Sequence, residues 1–312
     1  MRRYRFLQLD VFTNLAFNGN PLAVFPEADE LTDDEMQQIA REMNLSETVF
    51  VLPSRDDRSL RRLRIFTPGR ELPFAGHPIV GTWNALARER VVPVPEGGNG
   101  RTRIEHEVGI GVLPVEVEFK ENEPVRVVMT QGKFEALDVV EEAFERAEIE
   151  RGLGLAPEDI DETLPIQTIS TGITTLAVPL RSLDALGRCR VNAAIMSEVY
   201  TRAGALSCYA FTRETFEGGT SQAHARLFAH DFGIAEDPAT GSAAGALAGY
   251  LVHYDALNIK ETDGLYRFVL EQGDFIKRPS RIEAEVKGAP GAVEQVRIGG
   301  PSVVVARGEL IF

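Results

Sequence analysis

The chain has 312 residues, a net charge of −14, and 44% hydrophobic against 26% charged residues. That length fits two domains or one large one, buries a sizeable core without disulfide staples, and the composition excludes wholesale disorder. The acidic balance argues against a protein that grips nucleic-acid backbones, and no run of about 18 uninterrupted apolar residues predicts a transmembrane helix.

Residues 4–12 alternate loosely and predict a strand. An Asn/Gly-rich loop follows to Asn20 and Pro21, then a second strand over 22–25. Thr32 and Glu35 form a capping box that opens an amphipathic helix with Met36, Ile39, Ala40 and Met43 on one face. Residues 48–52 and 60–66 predict strands, the second with arginines on its polar side. A helix is expected from Pro78 to Arg90, a Pro/Gly-rich turn over 91–100, further strands from Arg103 to Val128, and an acidic surface helix over 138–152.

The second half echoes the first. Thr175-Leu176-Ala177-Val178 matches Pro21-Leu22-Ala23-Val24, and a helix around Met196 matches that around Met36. Tyr209-Ala210-Phe211 matches Val49-Phe50-Val51, Arg226-Leu227-Phe228 matches Arg64-Ile65-Phe66, and Gly241-Ser242 matches Gly76-His77. The order is kept at an offset of about 160 residues, which indicates one internal duplication. The run 242–252, SAAGALAGYLV, is small and apolar on every face and predicts a buried helix. Each half is therefore expected to curl a sheet around a central helix.

Gly76-His77-Pro78 and Asp237-Pro238-Ala239-Thr240-Gly241-Ser242 share one design, a polar turn and a glycine leading into a buried helix. Free N–H groups at a helix N-terminus suit an anion such as a carboxylate. Two such ends facing one cleft would bind an anionic substrate and stabilise charge developing on it. The cleft would need a base, and Glu47, at the edge of a strand, is the candidate. Taken singly, these residues have plainer readings. Glu47 reads as a surface glutamate, His77 as a capping histidine, Asp237 as a turn residue and Ser242 as an N-cap. Arg64 and Arg226 read as strand-edge charges.

The two cysteines, Cys189 and Cys208, lack metal-ligand spacing, and the five histidines form no HxxxH or HxH cluster, so no metal site is expected. Cys208 is expected in a buried strand. The start, MRRYRFLQLD, has no apolar core behind its arginines, and a cytoplasmic, reduced protein is the expectation. There is no GxGxxG, P-loop or GxSxG motif.

The runs DVFTNLAFNGNPLAVF (10–25), LSETVFV (45–51), FTPGRELPFAGHPIVGT (66–82), GIAEDPATGSAAGALAGYL (233–251) and RPS (278–280) resemble the PhzF family, named from phenazine biosynthesis. The resemblance runs nearly end to end. It implies an α+β fold of the diaminopimelate-epimerase type, with two pseudo-symmetric lobes, each a barrel-like and mostly antiparallel sheet around a central helix. The expected lobes are 1–124, with the strand 301–312 a candidate to join it, and 125–298, with the active site between them. The resemblance further implies that Glu47 is the general acid/base, and that Gly76, His77, Asp237, Gly241 and Ser242 hold the substrate.

The expected activity is a cofactor-independent isomerase that shifts a proton between carbons of a small anionic, carboxylate-bearing substrate, with no metal, flavin or pyridoxal. The family's phenazine enzyme isomerises trans-2,3-dihydro-3-hydroxyanthranilate. Related epimerases and proline racemases place a cysteine pair at the helix N-termini. Here those places hold His77 and Ser242, which disfavours two-base racemisation by thiols. The alternative is a non-catalytic carboxylate-binding protein on the same fold. A homodimer is implied by the resemblance.

Overall fold

The computed structural model describes all 312 residues and divides into two compact units, Met1–Thr130 with Gly299–Phe312, and Gln131–Ile298. The first opens with β1 (Arg3–Val11) and β2 (Asn20–Phe25), followed by helix α1 (Asp33–Met43). Thr32 and Glu35 cap α1 reciprocally, and its apolar side, Met36, Ile39 and Ala40, packs with Phe25, Phe50 and Phe66. Then come β3 (Glu47–Leu52), β4 (Arg62–Phe66), the two-residue β5 (Glu71–Leu72) and helix α2 (Gly76–Arg88). Strands β6 (Gly100–Val108), β7 (Gly111–Lys120) and β8 (Glu123–Thr130) follow.

In the second unit β9 (Glu135–Val139) and helix α3 (Ala143–Leu153) lead to β10 (Gln167–Ser170) and β11 (Thr174–Leu180). Helices α4 (Leu183–Arg188) and α5 (Ala193–Ala203) precede β12 (Cys208–Thr212), β13 (Ser221–Ala229), β14 (Ile234–Asp237) and helix α6 (Gly241–His253). Strands β15 (Leu265–Gln272), β16 (Ser280–Ala289) and β17 (Ala292–Gly300) follow. The last strand, β18 (Ser302–Ile311), belongs to the first unit and runs antiparallel to β1.

The fold is α+β, and its two halves repeat the same pairing rules. In the first unit β1–β2 is antiparallel, β2–β3 parallel, β3–β4 and β4–β5 antiparallel, and β4–β6 parallel. In the second unit β10–β11, β11–β12, β12–β13, β13–β14 and β13–β15 reproduce that order. The parallel steps are those bridged by helices, as crossover geometry requires. Thr48 lies opposite Phe66, and Cys208 opposite Phe228, in register with the sequence echoes. Each half has a helix at its centre. Helix α2 packs on β1, β2, β3, β7, β8 and β18, and α6 on β10, β11, β15 and β16. Every residue of α6 from Ala243 to Val252 is buried, as a helix apolar all round must be.

The duplication extends to side chains. Arg64 binds Glu71 through Nε and Nη2 at 2.7 and 2.6 Å and lies 5.1 Å from the Phe66 ring. Arg226 binds Glu236 in the same two-pronged way at 2.9 and 2.6 Å and lies 4.9 Å from the Phe228 ring. A second echo fastens a loop in each unit. Arg62 stands in register with Glu107, whose carboxylate accepts the Arg55 N–H at 2.8 Å. His224 stands in register with Glu271, whose carboxylate accepts the Phe216 and Glu217 N–H groups at 2.8 and 2.9 Å.

Some elements depart from the sequence expectation. The acidic helix begins at Ala143, because Asp138 and Val139 lie in β9, where Val139 pairs with Gln167. The short α4 was not foreseen. Its six residues are too few for a periodic signal, although Ser182 caps it by accepting the Ala185 N–H. The helix expected from Pro78 begins at Gly76, with Pro78 in its first turn, where no N–H is needed. Arg226 is not a strand-edge charge. It is 7% exposed, since α4 covers it and Leu186 O accepts its Nη1 at 2.8 Å.

Candidate active site

Glu47 is the first residue of β3, and the parallel register of β2 and β3 sets it beside Leu22. Asn20 begins β2, two residues earlier. The turn that delivers Asn20 depends on Gly19, whose φ of +65° and approach to Val11 O, 2.2 Å from where a Cβ would stand, leave no room for a side chain. His77 is the second residue of α2, a helix whose N-cap, Ala75, offers no side-chain hydrogen bond. Together these elements put three buried polar groups in a row. Asn20 Nδ2 is 3.3 Å from His77 Nδ1, and His77 Nε2 is 3.3 Å from Glu47 Oε2.

Burial pushes the His77 imidazole down to about 3 from an ordinary 6.5, against an opposing hydrogen bond to the Pro21 backbone. The ring is therefore neutral near pH 7. A neutral imidazole has one donor and one acceptor nitrogen, so it can face Glu47 in either protonation state of that carboxyl. His77 is thus no plain cap, and Glu47, 9% exposed, is no surface glutamate. At the equivalent place, immediately before β12, the second unit has Ser207, whose hydroxyl donates to Thr175 Oγ1 at 2.8 Å. The duplication carries this carboxyl once.

In the second unit Asp237 ends β14 and is 6% exposed. It accepts a hydrogen bond from the Thr240 hydroxyl. Thr240, not Ser242, is the N-cap of α6, and Ser242 is the second residue of the helix. The reason is backbone geometry. Thr240 is extended (φ −118°, ψ 97°), while Gly241 and Ser242 already lie inside the helix. The Thr240 hydroxyl, turned to Asp237, makes no cap bond. Helices α1, α4 and α5 are each capped by a side chain, whereas α3 and the central α2 and α6 are not.

The family model described as phenazine biosynthesis-like protein matches residues 9–308. The chain belongs to the PhzF family. It is 36% identical to an uncharacterised isomerase of Clostridium acetobutylicum, over 100% of this chain and 99% of that one. It is 33% identical to the trans-2,3-dihydro-3-hydroxyanthranilate isomerase of Pseudomonas aeruginosa, over 98% of each chain. The crystal structure of a Bacillus anthracis PhzF-family protein matches with a TM-score of 0.85 and 30% identity over the whole of both chains. These relationships support an isomerase.

Three residues of this PhzF-family chain escaped the sequence reading. Asn20 had a signal in the NGNP run but no visible partner. Gln272 lies 35 residues from Asp237 and reaches it only through the sheet. Ser280, in the RPS run, donates to Pro238 O at 2.9 Å and pins the turn before α6. Cys208 is buried in β12 as expected, and Cys189 is buried after α4. Burial raises both thiols, Cys189 to about 11. No group of three or more His, Cys, Asp or Glu has the geometry to hold a metal ion.

Proposed function

We propose that this chain is a cofactor-independent isomerase that moves a proton between carbons of a small, carboxylate-bearing substrate, with Glu47 as the single general acid/base. The observation that carries this reading is the buried Glu47 carboxyl 3.3 Å from a neutral His77, a pair that the second unit does not repeat. A carboxyl removed from bulk water beside a neutral donor–acceptor can take a C–H proton and return it elsewhere. Deprotonation next to a carboxylate leaves charge that conjugation spreads, and uncapped helix N-termini are suited to stabilise it.

The remaining residues take binding roles. Gly76 and Gly241 present backbone N–H groups, His77 orients Glu47 and the substrate, and Asp237 and Ser242 hold polar groups of the substrate. Thiol chemistry is disfavoured, because His77 and Ser242 stand where a cysteine pair would be needed and both cysteines are buried elsewhere. The relative named for trans-2,3-dihydro-3-hydroxyanthranilate makes that compound the first to test. The reading includes a cytoplasmic homodimer, which sedimentation of the purified protein checks.

The deciding experiment is deuterium exchange. Candidate substrates incubated in D₂O with the enzyme should take up deuterium, and uptake should vanish in Glu47→Gln. Tight binding with no exchange in either protein would replace the isomerase by the carboxylate binder.

A further inference from the structure

The second unit contains a buried side chain, three of whose four hydrogen bonds converge on the turn before α6. Gln272, at the end of β15, is fully buried. Its Oε1 accepts from the Tyr209 hydroxyl at 2.7 Å and from the Thr240 N–H at 3.1 Å. Its Nε2 donates to Asp237 O at 2.7 Å and to Thr240 Oγ1 at 3.1 Å. A primary amide has two donor protons and two acceptor lone pairs, so this one is fully used.

The orientation of that amide is settled by its partners. Thr240 N–H can only donate, and Asp237 O can only accept, so Oε1 and Nε2 cannot be exchanged. Tyr209 is buried with its hydroxyl raised well above its usual range by desolvation, and so it stays a donor. One consequence follows for Thr240. Its hydroxyl accepts from Gln272, so its single proton is directed to the Asp237 carboxylate, to which it is bonded. A Thr240 hydroxyl so engaged cannot turn to cap the first N–H groups of α6. The backbone is built for the same purpose. Gly273 has φ +85°, and a Cβ there would stand 2.2 Å from Arg278 O and 2.6 Å from Pro238 O.

We infer that Gln272 is a positioning residue, whose amide directs the Thr240 hydroxyl onto Asp237 and thereby keeps both the Asp237 carboxylate aligned as an acceptor and the α6 N-terminus uncapped. The functional part of this inference rests on the proposed binding role of Asp237 and α6. It deepens that role by naming what sets the geometry of the turn.

Crystal structures of the wild type and of Gln272→Leu supply a test that needs no substrate. The expected result is that the Thr240 hydroxyl leaves Asp237 and turns to accept from the N–H of Ser242 or Ala243. A Thr240 side chain still on Asp237 would overturn the inference. If Gln272→Leu does not fold, Tyr209→Phe, which removes one hydroxyl, is expected to loosen the same contact, and an unmoved Thr240 there has the same meaning. The kinetic arm uses trans-2,3-dihydro-3-hydroxyanthranilate as probe. Gln272→Leu should lose about tenfold in kcat/KM at all pH values. Gln272→Glu should recover relative to wild type as pH falls, because a protonated carboxyl regains a donor; a flat ratio would count against the relay. Failure of the wild type to exchange the probe would count against the isomerase reading for this compound, and the crystallographic arm would still decide the role of Gln272.

Discussion

His77 Nε2 lies 3.3 Å from Glu47 Oε2, and both side chains are buried. The contact joins the start of a helix to the start of a strand 30 residues earlier. Replacing Glu47 with Gln keeps the shape and removes the titratable oxygen. Deuterium wash-in should fall about a thousandfold in Glu47→Gln, with the dissociation constant of the same substrate within about threefold of wild type. An unchanged rate would remove Glu47 from the chemistry. In His77→Ala and in Asp237→Ala both binding and turnover should weaken, as measured by KM and kcat.

Acid should destabilise the first unit through two histidines. Burial pushes His77 down to about 3 and His106 down to about 4, against 6.5 unfolded. The unfolded chain takes up these protons below pH 6.5 and the folded chain does not. The stability they contribute is thus full above 6.5 and lost as pH falls toward the folded values. Between pH 7 and pH 4.5 the loss is about 2–3 kcal/mol for each. Urea unfolding of His106→Phe at both pH values should show a smaller acid loss than wild type; an equal loss refutes the account.

The two equivalent arginines should differ in cost. Arg226 and Glu236 have side chains 8% and 10% exposed, whereas the Arg64 partners Glu71 and Asp33 are 41% and 82% exposed. Removing Arg226 strands a buried carboxylate, at a cost of about 3–5 kcal/mol. Removing Arg64 leaves its partners in water and should cost about 1 kcal/mol. Equilibrium denaturation of Arg226→Met and Arg64→Met checks the difference, and equal losses would contradict it.

Both thiols are buried and raised, and the thiolate is the reactive form. Iodoacetamide at pH 7.5 should leave the native enzyme unmodified and fully active, with alkylation seen by mass spectrometry only after denaturation. Rapid inactivation would revive a thiol mechanism.

Gly81 lies within α2, where Ala is ordinarily better by about 1 kcal/mol. Here a Cβ would stand 2.6 Å from both Leu22 Cδ2 and Val11 Cγ2, in the core. Overpacking of this kind costs about 1–3 kcal/mol, so Gly81→Ala should lower the melting temperature; a rise would mean that Val11 and Leu22 yield freely.

What the sequence revealed depended on the range of each interaction. The repeat was legible because strand and helix patterns are local, and the capping box of Thr32 and Glu35 was read correctly for the same reason. Glu47 and His77 could be nominated by motif, but their contact could not, since it depends on the parallel register of β2 and β3. Ser242, taken singly, read as an N-cap because capping residues share a composition, and only the extended backbone of Thr240 distinguishes them. Gln272 carried no local signal at all, because its four bonds reach across strands. Arg226 looked like a surface charge until the short α4 was seen to cover it.

The placement of β18 bears on how the polypeptide acquires its form as it leaves the ribosome. All of residues 131–298 are synthesised before the strand that flanks β1 has been translated. The lobe begun first is thus the one finished last, and until then β1 offers a bare edge for mispairing.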